Sequence, residues 1–385
     1  MRLLVLLFSM LSLLSVFPAV ADDVPPPPTV SGKTYILRDF SSGAILAEQN
    51  SHERIAPASL TKLMTAYLSF KAVKQGHLKL DQTIPVSENA WKGRIGCGGT
   101  QSSCMFIAPD IPVTVDELLH GMIIQSGNDA CVALAEAIAG SEQAFADLMN
   151  KEAARLGMKD THFLNASGLD EDGHYTTAYD LSLLAAALIR DFPGEYDRLY
   201  KVKEYTYNKI KQMNRNRLLW IDPAVDGMKT GHTNSAGYCL TASAKHGDMR
   251  LISVLTGAPS ENARIIDSQK LLNYGFMFYE TRLLYKQGQT ISRLKVWKGE
   301  QNVLEATVAE NLYATLPKGK YDKLSAQVTS KQPLIAPISA GQQVGSLQLS
   351  LDGKPLAQYP LVAAKEIPVA GIFGRLWDSL KLMFQ

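Results

Sequence analysis

Short apolar-rich runs at Thr34–Asp39 and Ile45–Glu48, separated by Ser41, Ser42 and Gly43, predict a two-stranded hairpin. A second such pair, Tyr238–Ala244 and Arg250–Thr256, is joined by His246, Gly247 and Asp248. Between the hairpins the pattern is helical. Leu60, Leu63, Met64, Tyr67 and Leu68 recur at helical spacing, and Thr114 with Glu117 makes a capping box before Leu118, Leu119, Met122 and Ile123. Further helices are expected at Asp129–Ile138, Ser141–Leu156 and Thr177–Ile189. Strands at both ends of a region with a helical block between them predict an α+β domain around an antiparallel sheet.

After about Glu280 the pattern changes to short alternating runs, Leu294–Trp297, Val303–Val308 and Gln343–Leu351, punctuated by Gly and Pro. This predicts a separate small all-β domain over 281–365. In the last segment, 366–385, Ile372, Phe373, Leu376, Trp377, Leu380, Met383 and Phe384 fall on one helical stripe, with Arg375, Asp378, Ser379 and Lys381 off it. A helix docked on the β domain is one reading. A helix lying in a membrane interface fits the Trp and two Phe better.

The chain opens with Arg2, an apolar run Leu3–Phe17 and the small-x-small triplet Ala19, Val20, Ala21, the layout of a secretory signal peptide over 1–21. A transmembrane anchor needs about 20 apolar residues, and this run is shorter and meets Pro18. A Pro-rich lead follows over 22–31, so the first domain is expected over 32–280. In 385 residues, 39 Lys plus Arg nearly balance 37 Asp plus Glu, which gives nucleic acid no electrostatic footprint. Export places the four cysteines in an oxidising compartment. The polar loop between Cys97 and Cys104 lets them pair, whereas Cys131 and Cys239 read as buried thiols. With no CxxC pair, no HExxH and seven scattered histidines, neither a metal nor a cofactor is expected.

Three short motifs carry the candidate chemistry. Ser59-Leu60-Thr61-Lys62 opens the first strong helical pattern. Residues i and i+3 share a helix face, which brings the Ser59 hydroxyl and Lys62 amine within hydrogen-bond reach. A lysine kept neutral by burial and a nearby cation can activate such a serine. Ser292 and Lys295 repeat the spacing inside the β domain, where they read as exposed strand residues. Ser126-Gly127-Asn128 occupies a tight helix-to-helix turn, which on its own is a C-cap. Lys229-Thr230-Gly231 is expected at the head of a strand just before the late hairpin, where Lys and Thr can clamp a carboxylate and Gly admits a substrate backbone.

In the order Ser-x-x-Lys, Ser-Gly-Asn, Lys-Thr-Gly, these elements are those of the penicillin-recognising serine enzymes. The sequence resembles the low-molecular-mass penicillin-binding proteins of the D-alanyl-D-alanine carboxypeptidase type, from about Gly32 to Phe384. That group has a β-rich second domain and a C-terminal amphipathic anchor. The resemblance implies Ser59 as nucleophile on the penultimate D-alanine of a peptidoglycan stem peptide, with Lys62 as its general base. Ser126 would relay a proton to the leaving amine, and Asn128 would hold the substrate amide and orient Lys62. Lys229 and Thr230 would bind the terminal carboxylate, or that of a β-lactam, beside Gly231. The backbone N–H groups of Ser59 and His232 would form the oxyanion hole. Arg215 and, more remotely, Arg264 are candidates for the carboxylate. Trp91–Met105 corresponds to a rim loop of the family's site, and its Gly-rich sequence with two cysteines departs from the family pattern.

The reading is therefore a periplasmic carboxypeptidase acylated by β-lactams and held peripherally at the inner membrane by its last helix, with no partner assigned to the β domain. Its alternatives are an endopeptidase or β-lactamase on the same scaffold, or a wall-binding protein without turnover.

Overall fold

The structure is a computed structural model that describes residues 24–92 and 102–383. The leader 1–21, Cys97 and Phe384 lie outside the described residues. The chain forms two compact units, Pro25–Phe278 and the part that begins at Tyr279.

The first unit is built on a five-stranded antiparallel sheet. Its N-terminal strands are β1 (Thr34–Asp39) and β2 (Ile45–Gln49), and two short pairs follow, β3 (Thr83–Ile84) with β4 (Val113–Thr114) and β5 (Glu204–Tyr207) with β6 (Ile210–Met213). Strands β7 (Val225–Thr233), β8 (Gly237–His246) and β9 (Met249–Ala258) complete the sheet in the order β2-β1-β9-β8-β7. Consecutive residues of β1, Ile36 and Leu37, are both fully buried, so both sheet faces are covered. Ile36 joins the core with Leu63, Leu118, Leu134 and Leu184.

The helices between the strands are α1 (Lys62–Lys74), α2 (Glu88–Lys92), α3 (Val115–His120), α4 (Asn128–Ala139), α5 (Glu142–Leu156), α6 (Ala178–Asp191), α7 (Pro193–Leu199) and α8 (Leu218–Ile221), and α9 (Glu261–Phe278) follows the sheet. Helix α1 is buried almost all round, the signature of a central helix. Helix α9 covers the Leu37 face, where Gly275 lets it approach so closely that an added Cβ would stand 2.5 Å from Leu251 Cδ1 and 3.0 Å from Leu37 Cδ2. The lead is docked rather than free. Tyr274 donates its hydroxyl to the Pro25 carbonyl at 2.9 Å, and the Ser31 amide and hydroxyl both donate to Asp267.

The structure differs from expectation at β7. Lys229, Thr230 and Gly231 do not head a strand but occupy the interior of the edge strand β7, paired with Thr241, Leu240 and Cys239 of β8. The segment VDGMKTGHT shows no apolar alternation, so its extended form comes from pairing with the neighbouring strand, not from its own pattern.

The second unit is all-β before its last helix. Strands β10 (Tyr279–Tyr285) and β13 (Leu312–Pro317) pair, while β11 (Thr290–Trp297), β12 (Val303–Thr307), β14 (Leu324–Ser330), β15 (Leu334–Ile335), β16 (Gln343–Leu351) and β17 (Lys354–Ala363) form a sheet ordered β14-β16-β17-β12-β11-β15. Val296, Leu304, Leu347, Leu349 and Leu361 fill its core. Ser292 is half-buried and Lys295 exposed. The β structure reaches past residue 365, because Ile367 is buried and bridges Ile338, and Val369 bridges Gly299. Helix α10 (Ile372–Leu382) then presents Phe373, Leu376, Trp377 and Leu380 to solvent. No helix among the described residues is long and apolar enough to cross a membrane.

Candidate active site

Ser59 sits on a 3-10 turn, Ala58–Thr61, that runs into α1. The turn is forced by its surroundings. Ala58 adopts a left-handed backbone with φ of 47°. Gly168, at φ of 86°, lies so close that an added Cβ would run into the Ala58 carbonyl oxygen. On the other side Gly231 leaves only 3.2–3.3 Å between an added Cβ and Ala58 and Leu60. The Ser59 turn thus lies wedged between the loop at Gly168 and strand β7. The Ser59 and His232 amides, expected as oxyanion donors, belong to this turn and this strand.

Lys62 is buried and makes three hydrogen bonds: Nζ stands 2.8 Å from Ser59 Oγ, 2.7 Å from Asn128 Oδ1 and 2.6 Å from the Ser167 carbonyl. Burial lowers its pKa to about 8, with the Arg215 charge adding to the effect and Cys131 and Asp129 opposing it. The geometry suits a neutral amine. Two N–H bonds satisfy Asn128 and Ser167, and the lone pair is left facing the Ser59 hydroxyl, where it can accept that proton.

The Ser167 carbonyl is aimed by its own loop. Asn165 Oδ1 accepts the amides of Ser167, Gly168 and Leu169, a local side-chain turn that fixes this backbone beneath Lys62. His174 supports the same corner. Its Nδ1 accepts the Leu164 amide at 3.3 Å, which leaves the proton on Nε2 to donate to Thr61 Oγ1 at 3.0 Å. Burial holds the ring neutral, with its pKa lowered to about 4.

The second motif emerges from α3, whose N-terminus carries the Thr114–Glu117 capping box. A wide turn, Gly121–Gln125, ends at Ser126 in the left-handed conformation with φ of 69°. Among the described residues its buried Oγ has no hydrogen-bond partner, which leaves it available to a bound molecule. Asn128 begins α4. Beyond Lys62, it donates from Nδ2 to Ser102 Oγ at 2.9 Å and from its backbone to the Ser103 carbonyl at 2.7 Å. Asp129, also buried, accepts the amides of Met105, Phe106 and Ile107. Burial raises its pKa and these donors oppose the rise. Asn128 and Asp129 thereby pin the segment 102–107 against the site. Cys104 in that segment is disulfide-bonded; its expected partner Cys97 lies outside the described residues, and Cys131 and Cys239 are free.

Lys229 completes the charge pattern. It is buried, and burial together with the charges of Lys62 and Arg215 pushes its pKa well below the usual lysine range. Among the described residues its Nζ reaches only the Thr230 carbonyl, at 3.1 Å. Thr230 and Gly231 are buried beside it. Arg215 is exposed and held by its Nε on the Gln125 carbonyl at 2.9 Å. Arg264 is buried, pairs with the half-exposed Glu261 at 3.2 Å, donates to the Gly231 carbonyl at 3.2 Å and lies over the Tyr238 ring, bracing β7. The exposed His232 ring packs 4.0 Å from that of Tyr238. Lys62, Lys229 and Arg215 thus bear on one another around Ser59, and with Lys62 neutral the positive charge beside it favours an anionic ligand. Among the described residues no group of His, Cys, Asp and Glu gathers as a metal site.

Ser102, Asn165, Ser167 and His174 were not singled out by sequence reading. Their contributions are a hydroxyl, a loop turn, a backbone carbonyl and a buried ring from distant segments, for which no local signal exists. Asp129 gives no signal either, since an acidic residue in the first turn of a helix is ordinary.

A serine on a strained turn, a lysine that can accept its proton and a cationic strand beside them define a serine acyl-transfer enzyme of the penicillin-recognising class. The D-alanyl-D-alanine carboxypeptidase family profile matches residues 21–260, and that of the penicillin-binding protein 5 C-terminal domain matches 279–369. The chain belongs to the D-alanyl-D-alanine carboxypeptidase family. It is 45% identical over 364 residues to D-alanyl-D-alanine carboxypeptidase DacA of Escherichia coli K12, covering 94% of this chain and 90% of that one. Penicillin-binding protein 5 from Haemophilus influenzae superposes with a TM-score of 0.85 at 41% identity, covering 89% of this chain and 99% of that one. Penicillin-binding protein D2 from Listeria monocytogenes, in its ampicillin-bound form, has a TM-score of 0.58 at 32% identity and covers 65% of this chain and 100% of its own.

Proposed function

We propose that this protein is a serine-type D-alanyl-D-alanine carboxypeptidase that removes the terminal D-alanine from peptidoglycan pentapeptide stems and is acylated by β-lactams. The observation that carries the reading is the 2.8 Å contact between Ser59 Oγ and the buried Lys62 Nζ, whose pKa burial brings down to about 8. Neutral Lys62 takes the Ser59 proton as Oγ attacks the carbonyl of the penultimate D-alanine. The amides of Ser59 and His232 receive the oxyanion. As the tetrahedral centre collapses, Ser126 passes a proton to the leaving amine, D-alanine departs and water then hydrolyses the ester on Ser59. Asn128 holds the substrate amide while keeping Lys62 in place. Lys229 and Thr230, with Arg215 above them, bind the terminal carboxylate; Arg264 contributes by holding the Gly231 carbonyl. A β-lactam supplies the same carboxylate and amide, and its leaving amine stays tethered after ring opening.

Within this reading the protein works on the periplasmic face of the inner membrane, held peripherally through the apolar face of α10. The deciding experiment is D-alanine release from an uncrosslinked pentapeptide muropeptide, run beside Ser59→Ala. Release by the wild type alone is expected. No release by either folded protein defeats the carboxypeptidase reading and directs attention to a wall-binding role without turnover.

A further inference from the structure

Strand β7 is the edge of its sheet, so β8 alone pairs with it, and its Gly231 abuts the Ser59 turn. A strand is loosest where its ladder ends. Here the ladder ends at Thr233, which pairs with Gly237 and lies one residue beyond His232, whose amide is assigned to the oxyanion. Thr233 closes the turn that follows, since its Oγ1 accepts the Ala236 amide at 3.1 Å. The turn asks nothing more of this hydroxyl. It nevertheless donates to Asp170 Oδ1 at 2.9 Å. Ser235 Oγ also lies 3.0 Å from the same oxygen, but the carboxylate is the stronger acceptor. Asp170 is exposed, and Thr233 is its one side-chain hydrogen-bond partner among the described residues.

This bond joins the two walls between which the Ser59 turn is wedged. Asp170 lies two residues after Gly168, which abuts Ala58, and Thr233 lies two residues after Gly231, which abuts Ala58 and Leu60. Contact therefore runs in a ring from the Ser59 turn to Gly168, Asp170, Thr233, Gly231 and back to the turn. The loop side of the ring is firm. Asn165 Oδ1 holds the Gly168 amide at 2.7 Å, and the Thr65 hydroxyl donates to the Ala166 carbonyl at 2.6 Å. On the strand side Arg264 holds the Gly231 carbonyl, and beyond Gly231 the tie is Thr233 to Asp170. An exposed bond of this kind adds little to global stability, because water competes for both groups. Its effect is on position. An oxyanion donor has to stand about 2.7–3.1 Å from the developing charge, and a misplacement of about 1 Å can cost about a hundredfold in rate.

We propose that Asp170 and Thr233 are positioning residues for acyl transfer: their bond clasps the end of β7 to the loop at Gly168 and so holds the His232 N–H against Ser59 as an oxyanion donor. The proposal rests on the reading of Ser59 as the nucleophile, but the clasp can also be tested without turnover. Asp170→Ala removes the clasp and leaves Thr233 to cap its turn, whereas Asp170→Asn keeps the Oδ1 acceptor and loses the charge. In benzylpenicillin acylation followed to saturation, Asp170→Ala is expected to slow the acylation step about tenfold. The dissociation constant of its noncovalent complex and its melting temperature should stay at the wild-type values. Asp170→Asn is expected to acylate within about twofold of the wild type, because the bond survives. Acylation by Asp170→Ala at the wild-type rate overturns the proposal. So does an equal loss in Asp170→Asn, since a charge would then be acting and not a bond. In a second arm, amide hydrogen exchange over residues 229–239 is followed in Ser59→Ala protein with and without Asp170→Ala. Faster exchange at this end of the β7–β8 ladder supports the clasp even if the wild type proves not to be acylated, a result that would defeat the serine reading alone. Unchanged exchange overturns the clasp even if the enzyme is active.

Discussion

Asn128 ties Lys62 to the rim of the site, because its Oδ1 accepts from Lys62 Nζ at 2.7 Å while its Nδ2 donates to Ser102 at 2.9 Å. The carbonyl end is neutral, which matters for a lysine that must be deprotonated to act. Replacing Asn128 with Asp puts a carboxylate at the same distance and favours the ammonium. Wild-type acylation by benzylpenicillin should rise with pH and level off above about 8, following Lys62. In Asn128→Asp the rising limb should move up by about one to two pH units. An unmoved limb would show that Lys62 is not the base that limits acylation.

His174 should make the protein acid-labile. Its pKa is about 4 in the fold against an ordinary 6.5, so the unfolded chain binds more protons between those values. Stability from this group is complete above about pH 6.5 and is lost as pH falls towards 4, by about 3 kcal/mol in all. His174→Gln keeps a donor for Thr61 and does not titrate. Its melting temperature should therefore fall less than that of the wild type between pH 6.5 and 4.

Gly168→Ala should be the most damaging small substitution near the site. A methyl group there meets the Ala58 carbonyl and requires a backbone with φ of 86°. A loss of about 3 kcal/mol or more is expected in thermal or denaturant unfolding. Because the displaced atom belongs to the residue before Ser59, penicillin acylation should fall at least tenfold in whatever protein remains folded.

Ending the chain after Gly371 removes α10 and spares the bridges at Ile367 and Val369. This truncated protein should leave the membrane fraction and keep its rate of D-alanine release from soluble pentapeptide. Its persistence on membranes would defeat the anchor assigned to α10. Ending the chain at 365 should also destabilise the β unit, since Ile367 is part of its core.

Thiol labelling of the unfolded, unreduced protein should modify two cysteines, and labelling after reduction should modify four. Cys131 and Cys239 are free and Cys104 is bonded, so four labels without reduction would contradict the bridge.

Where sequence reading succeeded, the cause was local. The serine–lysine spacing, the Thr114 capping box and the two hairpins are set by residues a few positions apart, and each has a periodicity or a cap to reveal it. Strand β7 was misplaced because its segment owes its conformation to β8. The third partner of Lys62 is the Ser167 carbonyl, 105 positions away, and a backbone carbonyl leaves no residue type to notice. Arg264 could be nominated but not placed, since an arginine in a sequence does not say whether it faces a ligand or braces a strand.

The pairing of β1 with β9 has a consequence for how the chain is made. Thr34 and Thr256 share a hydrogen bond across 222 positions, and β1 has no sheet neighbour before them except β2. A hairpin of two strands is barely stable alone in water. The first hairpin to be synthesised must therefore wait, unpaired along one edge, until the last strand of the sheet arrives. Closing so long a loop is slow and exposes a sticky edge meanwhile. Until β9 docks, β7 has no sheet to complete, and Ser59 and Lys62, made more than 190 positions earlier by that reckoning from Thr256, have no strand to face. A nascent chain of this protein is thus catalytically silent until its catalytic unit is nearly whole, so activity arrives in one late step.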